Sequence, residues 1–188
     1  MGKKILLAVV LAAVLTTGKA FANPVHPDGW GIGIVGGIGW SNGGVGTAGL
    51  SLKAPALPIF WGIWLEGGNH WMHIGATGDY HLLGSMFFED MLGWFFGIGG
   101  SIGFTSWEGG TVLHNERLYT RSWTRFGLGV RAPIGLTFQP IDFLELFITA
   151  APAFGVRFYS NSHDWDDSYS GVGFGFRIGG ELGLRFWF

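Results

Sequence analysis

Few groups in this sequence combine residue types that could do chemistry. His73, Asp79 and His81 offer two imidazoles and a carboxylate, a set able to hold a first-row metal. Asp164, Asp166 and Asp167 offer the hard oxygens that calcium takes. His163 with Asp164 and Ser168, or His114 with Ser122, supply the types of an activated nucleophile, as an acyl-modifying enzyme needs. Spacing argues against each. His73 and His81 share one face of an extended segment but stand roughly 26 Å apart along it, so one ion cannot reach both. The acidic stretch lacks the central glycine and distal glutamate of an EF-hand loop. The Ser and His combinations lie in polar stretches where such types meet by chance. Gly-x-Gly repeats such as Gly31-Ile32-Gly33 and Gly127-Leu128-Gly129 precede no helix, which excludes a dinucleotide fingerprint. We expect no enzyme, no metal centre and no cofactor.

The larger ionisable set is spread along the chain: Lys53, Glu66, His73, Asp79, His81, Arg121, Arg125, Arg131, Glu145, Arg157, Arg177, Glu181 and Arg185. Each lies on the polar side of a segment whose alternate residues are apolar. Between Leu92 and Thr105, for example, Leu92, Trp94, Phe96, Ile98, Ile102 and Phe104 oppose Gly93, Phe95, Gly97, Gly99, Ser101, Gly103 and Thr105. Near the C-terminus, Leu182, Leu184, Phe186 and Phe188 oppose Glu181, Gly183, Arg185 and Trp187. Period-two alternation marks strands. A wholly apolar face backed by a charged one suits neither water nor a uniform core, whereas lipid outside and a polar lumen inside suit both. A one-residue slip would put Arg177 and Arg185 in lipid, at about 2–4 kcal/mol each near the midplane.

The alternation predicts an all-β, eight-stranded antiparallel up-and-down transmembrane barrel. Its strands start at Trp30 and then run over about Gly46–Lys53, Ile59–Glu66, His70–Leu83, Leu92–Ser106, Tyr119–Phe138, Phe143–Tyr159 and Gly171–Phe188. With both ends on the periplasmic side, the polar loops expected around Glu108–Leu118 and Ser160–Ser170 face outward. Trp30, Trp40, Trp61, Trp94, Trp107 and Trp187 lie towards strand ends, where interfacial girdles belong. Pro133 and Pro152 fall inside strands, where a missing donor predicts a bulge or local break. An interior this narrow is filled by side chains or holds one small ligand. Its charges must be paired, and we expect Glu145 and Glu181 to neutralise Arg131, Arg157 and Arg177, plugging the lumen with salt bridges.

Composition agrees. Met1-Gly2-Lys3-Lys4 is basic, Ile5 to Leu15 is apolar, and Ala20-Phe21-Ala22 offers an A-x-A cleavage site, so residues 1–22 read as a cleaved signal peptide and 23–188 as the barrel domain. Without residues 1–22 the chain keeps 8 basic against 13 acidic residues, a net charge near −5 that argues against nucleic-acid binding. No cysteine is available for disulfides or lipid attachment.

The closing octapeptide resembles the C-terminal assembly signal of bacterial outer-membrane barrels, with Glu181, Gly183, Phe186 and Phe188 at its polar, glycine and aromatic positions. The segment from Gly135 to Phe147, continuing through Ala151 to Val156, is similar to the penultimate hairpin of such proteins. The chain thus resembles the small eight-stranded outer-membrane proteins of the OmpX, OmpW and OmpA transmembrane-domain type. The resemblance implies a monomer in the bacterial outer membrane, surrounded by its lipid and inserted by the barrel assembly machinery. External loops would meet ligands or a host surface in a structural or interaction role. A narrow pore or carrier for small or hydrophobic solutes is the alternative, and lipid A modification a more distant one.

Overall fold

In the computed structural model, residues 25–39, 45–55, 57–88, 91–114, 117–163 and 166–188 are described. The expected signal peptide, with Ala20 and Ala22, lies outside them, as do Trp40 and the side chains of 110–121 and 161–169, including that of Arg121.

Alternating sequence becomes paired ladder in nine segments: β1 (Gly31–Gly39), β2 (Val45–Lys53), β3 (Ile59–Gly68), β4 (Trp71–Phe87), β5 (Leu92–His114), β6 (Arg117–Arg131), β7 (Ile134–Ile141), β8 (Leu144–His163) and β9 (Asp166–Trp187). Each pairs antiparallel with its neighbours, and β1 pairs with β9, so the sheet closes on itself. The seam runs from Gly31 opposite Trp187 to Gly39 opposite Gly179. It is extended by reciprocal bonds between Trp30 and Phe188, at 3.1 and 2.9 Å. Closure leaves no edge in the wall, which lipid requires.

Nine segments make eight staves because β6 and β7 are one strand interrupted at Ala132-Pro133. Both flank β5 and β8, and the register is the same on either side: Arg131 faces Gly99 and Ala153, Ile134 faces Phe96 and Ala150. Ala132 still donates to Pro152 at 2.9 Å, and the Pro133 carbonyl accepts from Gly97 at 2.8 Å. The break expected at Pro133 therefore costs one donor and no slip, and Pro152 stays within β8 opposite Ile178.

Two expected loops are strands instead. Thr111 pairs with Thr120 and His114 with Arg117, while Ser160 pairs with Ser170 and His163 with Asp166, so β5–β6 and β8–β9 are long hairpins. A strand needs only about 9–11 residues to cross a bilayer, whereas β5 has 23 and β9 has 22. Such lengths exceed what a crossing needs, and outside a bilayer a ladder satisfies backbone groups as well as water does. A bulge between His81 and Leu83 also resets the alternation in β4, so Leu83 rather than Leu82 is the exposed residue there.

Outward side chains form an apolar belt that includes Ile34, Leu65, Ile98, Val130, Ile148 and Leu182, all exposed. A continuous belt of this size is unstable in water and stable against hydrocarbon. Trp30, Trp61 and Trp94 stand on it. Trp187, expected with them, instead turns into the lumen and is buried.

Candidate functional site: the charged lumen

Inward positions are filled by large side chains lying over glycines of adjacent strands. A Cβ on Gly99 would collide with the Asp79 carboxylate, one on Gly183 with the Phe147 ring, and one on Gly103 with the His73 imidazole. Glycine is common here because the lumen is narrow and the rings and charges are large.

At the end of the barrel where Trp30 meets Phe188 the lumen converges on Glu145 of β8, which is 0% exposed. Oε1 accepts from His26 Nδ1 at 2.7 Å and Thr137 Oγ1 at 2.8 Å. Oε2 accepts from Arg185 Nη1 at 2.6 Å and Trp187 Nε1 at 2.9 Å. Four donors satisfy both oxygens, the condition under which a buried carboxylate is tolerated. The rest of the Arg185 guanidinium is used as well: Nε and Nη2 donate to Ser51 Oγ at 3.2 and 2.8 Å. Its carbon lies 4.8 Å from the Phe60 ring centre and 4.6 Å from that of Phe147, which is cation–π geometry.

His26 comes from the short lead-in before β1, which folds up into the mouth. Val25 is fully buried, its carbonyl accepts from Gln139 Nε2 at 2.5 Å, and His26 Nε2 meets His81 Nδ1 at 2.9 Å. His81 lies flat between Phe60 and Phe95, with ring centres 4.1 and 4.2 Å away. A cavity of about 30 Å³ remains beside these groups, room for a single water.

One level further out, Arg131 of β6 reaches two acids: Nε lies 3.1 Å from Asp79 Oδ1, and Nη2 lies 2.7 Å from Glu181 Oε1. The contacts are ion pairs without well-aligned hydrogen bonds. Glu181 thus meets one of the arginines expected of it, while Glu145 takes Arg185 in place of Arg131, Arg157 or Arg177. The sequence held a signal for that pair. The expected strand ends Tyr159 and Gly171 are partners, and counting back from them sets Glu145 opposite Arg185.

Towards the outer end, His73 Nδ1 bonds Thr105 Oγ1 at 2.8 Å, and Glu66 is the cross-strand partner of His73. Arg125 packs 5.4 Å from the Trp123 ring, and Arg157 lies over Gly175. Lys53 stays at the rim near the start of β1, donating to the Ala54 carbonyl at 2.7 Å. Sequence reasoning missed His26, Ser51 and Thr137. Ser51 and Thr137 had the inward parity that could have found them; His26, in a proline-flanked lead-in, had no such signal.

Residues 47–186 match a protein family described as a protein of unknown function, DUF3996. The chain belongs to this family. The DUF3996 match runs from β2 into β9, so it takes in Glu145, Arg185, Arg131, Asp79 and Glu181 and leaves out His26 and β1. None of the curated proteins matches in sequence. Solved structures similar to it include the N-terminal β-barrel domain of Pseudomonas aeruginosa OprF, with 12% identity over 86% of this chain and 98% of that one and a TM-score of 0.43. A major outer membrane protein from Thermus thermophilus is 12% identical over 85% and 99%, with a TM-score of 0.47. Neisserial surface protein A is 14% identical over 85% and 96%, with a TM-score of 0.39.

Proposed function

We propose that this protein is a non-enzymatic barrel of the bacterial outer membrane whose lumen is plugged at the periplasmic end, and whose contacts are made by its outer half. The carrying observation is Glu145, wholly buried at the mouth with all four acceptor positions filled from β7, β9 and the lead-in. Arg131, bridging Asp79 and Glu181, forms a second barrier above it. An outer-membrane address is supported by the apolar belt, by the Glu181, Gly183, Phe186 and Phe188 signature, and by the expected signal peptide. The barrel assembly machinery is the partner that such a signature engages. The tall β5–β6 and β8–β9 hairpins are the surfaces offered to external ligands or a host.

Planar-bilayer recording of refolded protein tests the plug. Closed behaviour is expected, and sustained discrete openings would establish a narrow pore in its place. Incubation with lipid A followed by mass spectrometry tests the non-enzymatic reading, which an altered acyl pattern would overturn.

A further inference from the structure

Lumen arginines fall into two groups. Arg185 and Arg131 are held by carboxylates at 2.6 to 3.1 Å. Arg125, Arg157 and Arg177 have no carboxylate within ion-pair distance among the described residues, yet they converge from three adjacent staves, β6, β8 and β9, on one cavity of about 120 Å³. His73 borders the same space from β4. Glu66 feels the field of both Arg177 and Arg125, and Glu181, which lines the adjoining cavity with Arg177, is already held by Arg131, so among the described residues positive charge is in excess.

The cavity is also kept clear. Gly103, Gly127, Gly129, Gly155 and Gly175 line it where side chains would otherwise fill an eight-stranded lumen. The Arg157 guanidinium rests on Gly175 so closely that an added Cβ would stand 2.8 Å from Cζ. Ser101 and Thr105 add hydroxyls to the wall.

Guanidinium forks match the oxygens of a tetrahedral anion, and several converging forks in a partly desolvated space are how proteins hold phosphate. We propose that this outer lumen cavity binds a phosphate group, with Arg125, Arg157 and Arg177 as its ligands. The volume admits a phosphate group with a few waters. Binding here does not depend on the plug, because the cavity lies on the outer side of Arg131.

The test uses the whole barrel in detergent micelles in a gluconate buffer, titrated with inorganic phosphate and, separately, with a sugar phosphate. Calorimetry should show saturable binding of at least one. If the sugar phosphate binds and inorganic phosphate does not, the natural source is a phosphorylated sugar; the converse points to free phosphate. Arg157→Gln and Arg177→Gln should each weaken binding roughly tenfold, the loss of one charge-assisted contact, whereas Lys53→Gln at the rim should not change it. Protection of the wild-type protein gives a readout independent of variant folding: saturating phosphate should shield Arg125, Arg157 and Arg177 from phenylglyoxal, mapped by mass spectrometry. Absence of saturable binding by either ligand at millimolar concentration, or equal modification of the three arginines with and without phosphate, would overturn the proposal.

Discussion

Replacing Glu145 by Gln keeps the shape of the lumen floor and removes its charge. Arg185, 4% exposed, would then have no counter-ion and, besides Ser51 Oγ, at most a neutral amide oxygen as a polar partner. The new amide group would also aim donors at two of the four groups that now donate to the carboxylate: His26 and Thr137, or Arg185 and Trp187. Removing one member of a buried pair costs about 3–5 kcal/mol, chiefly through the charge left behind. Arg185→Met should cost a similar amount for the converse reason. The double variant should regain about 2–3 kcal/mol of the summed losses, since neither charge then remains and Met fills part of the space between Phe60 and Phe147. Equilibrium urea unfolding of the barrel in lipid vesicles, followed by tryptophan fluorescence, measures all four proteins. A loss below about 1 kcal/mol for Glu145→Gln, or strict additivity in the double variant, would refute the assignment of Glu145 and Arg185 as one unit.

Three further outcomes are expected. His26→Ala removes bonds to Glu145 and His81 and should lower stability by about 1.5–3 kcal/mol in the same unfolding assay, with the strand content measured by circular dichroism unchanged. Glu181→Ala leaves Arg131 with Asp79 alone and should cost about 1–3 kcal/mol in refolded material, over and above any defect of assembly in cells; unchanged refolded stability would mean that Glu181 serves the assembly signature only. Gly33→Ala would place a Cβ against the Leu184 carbonyl of the facing strand, so the seam must part to admit it. A loss of about 1–3 kcal/mol is expected, seen as a lower temperature at which the heat-modified gel band appears.

How much of this was legible can be judged residue by residue. Facing was written in the parity of the sequence: Arg131, Glu145, Glu181 and Arg185 all turn inward because the alternatives put charge in hydrocarbon. Strand ends were not. The stretches after Glu108 and Ser160 are as polar as loops, but outside the bilayer a strand needs no apolar face, so polarity stops reporting where a ladder ends. The bulge after His81 was hidden for a similar reason: Leu82 and Leu83 are both apolar, and nothing local says which one the pleat turns outward. Pro133 did announce its break, because a residue without a donor has few places in a sheet. The plug was least visible of all, since His26 reaches Glu145 across 119 positions of sequence.

That span has a kinetic meaning. The groups that meet at Glu145 come from the lead-in, β7 and β9, and through Arg185 and His26 they extend to β2 and β4. Thr137, Arg185 and Trp187 can meet Glu145 as soon as β7, β8 and β9 pair, but the bonds from Arg185 to Ser51 on β2 and from His26 to His81 on β4 span the lumen and form only after the ring has shut. Interactions absent from the rate-limiting arrangement do not hasten its formation, and they must all be lost before it can be reached again. The lumen-spanning bonds of His26 and Ser51 therefore act as a one-way latch: formed after closure, they do little to speed it and slow the opening of the barrel.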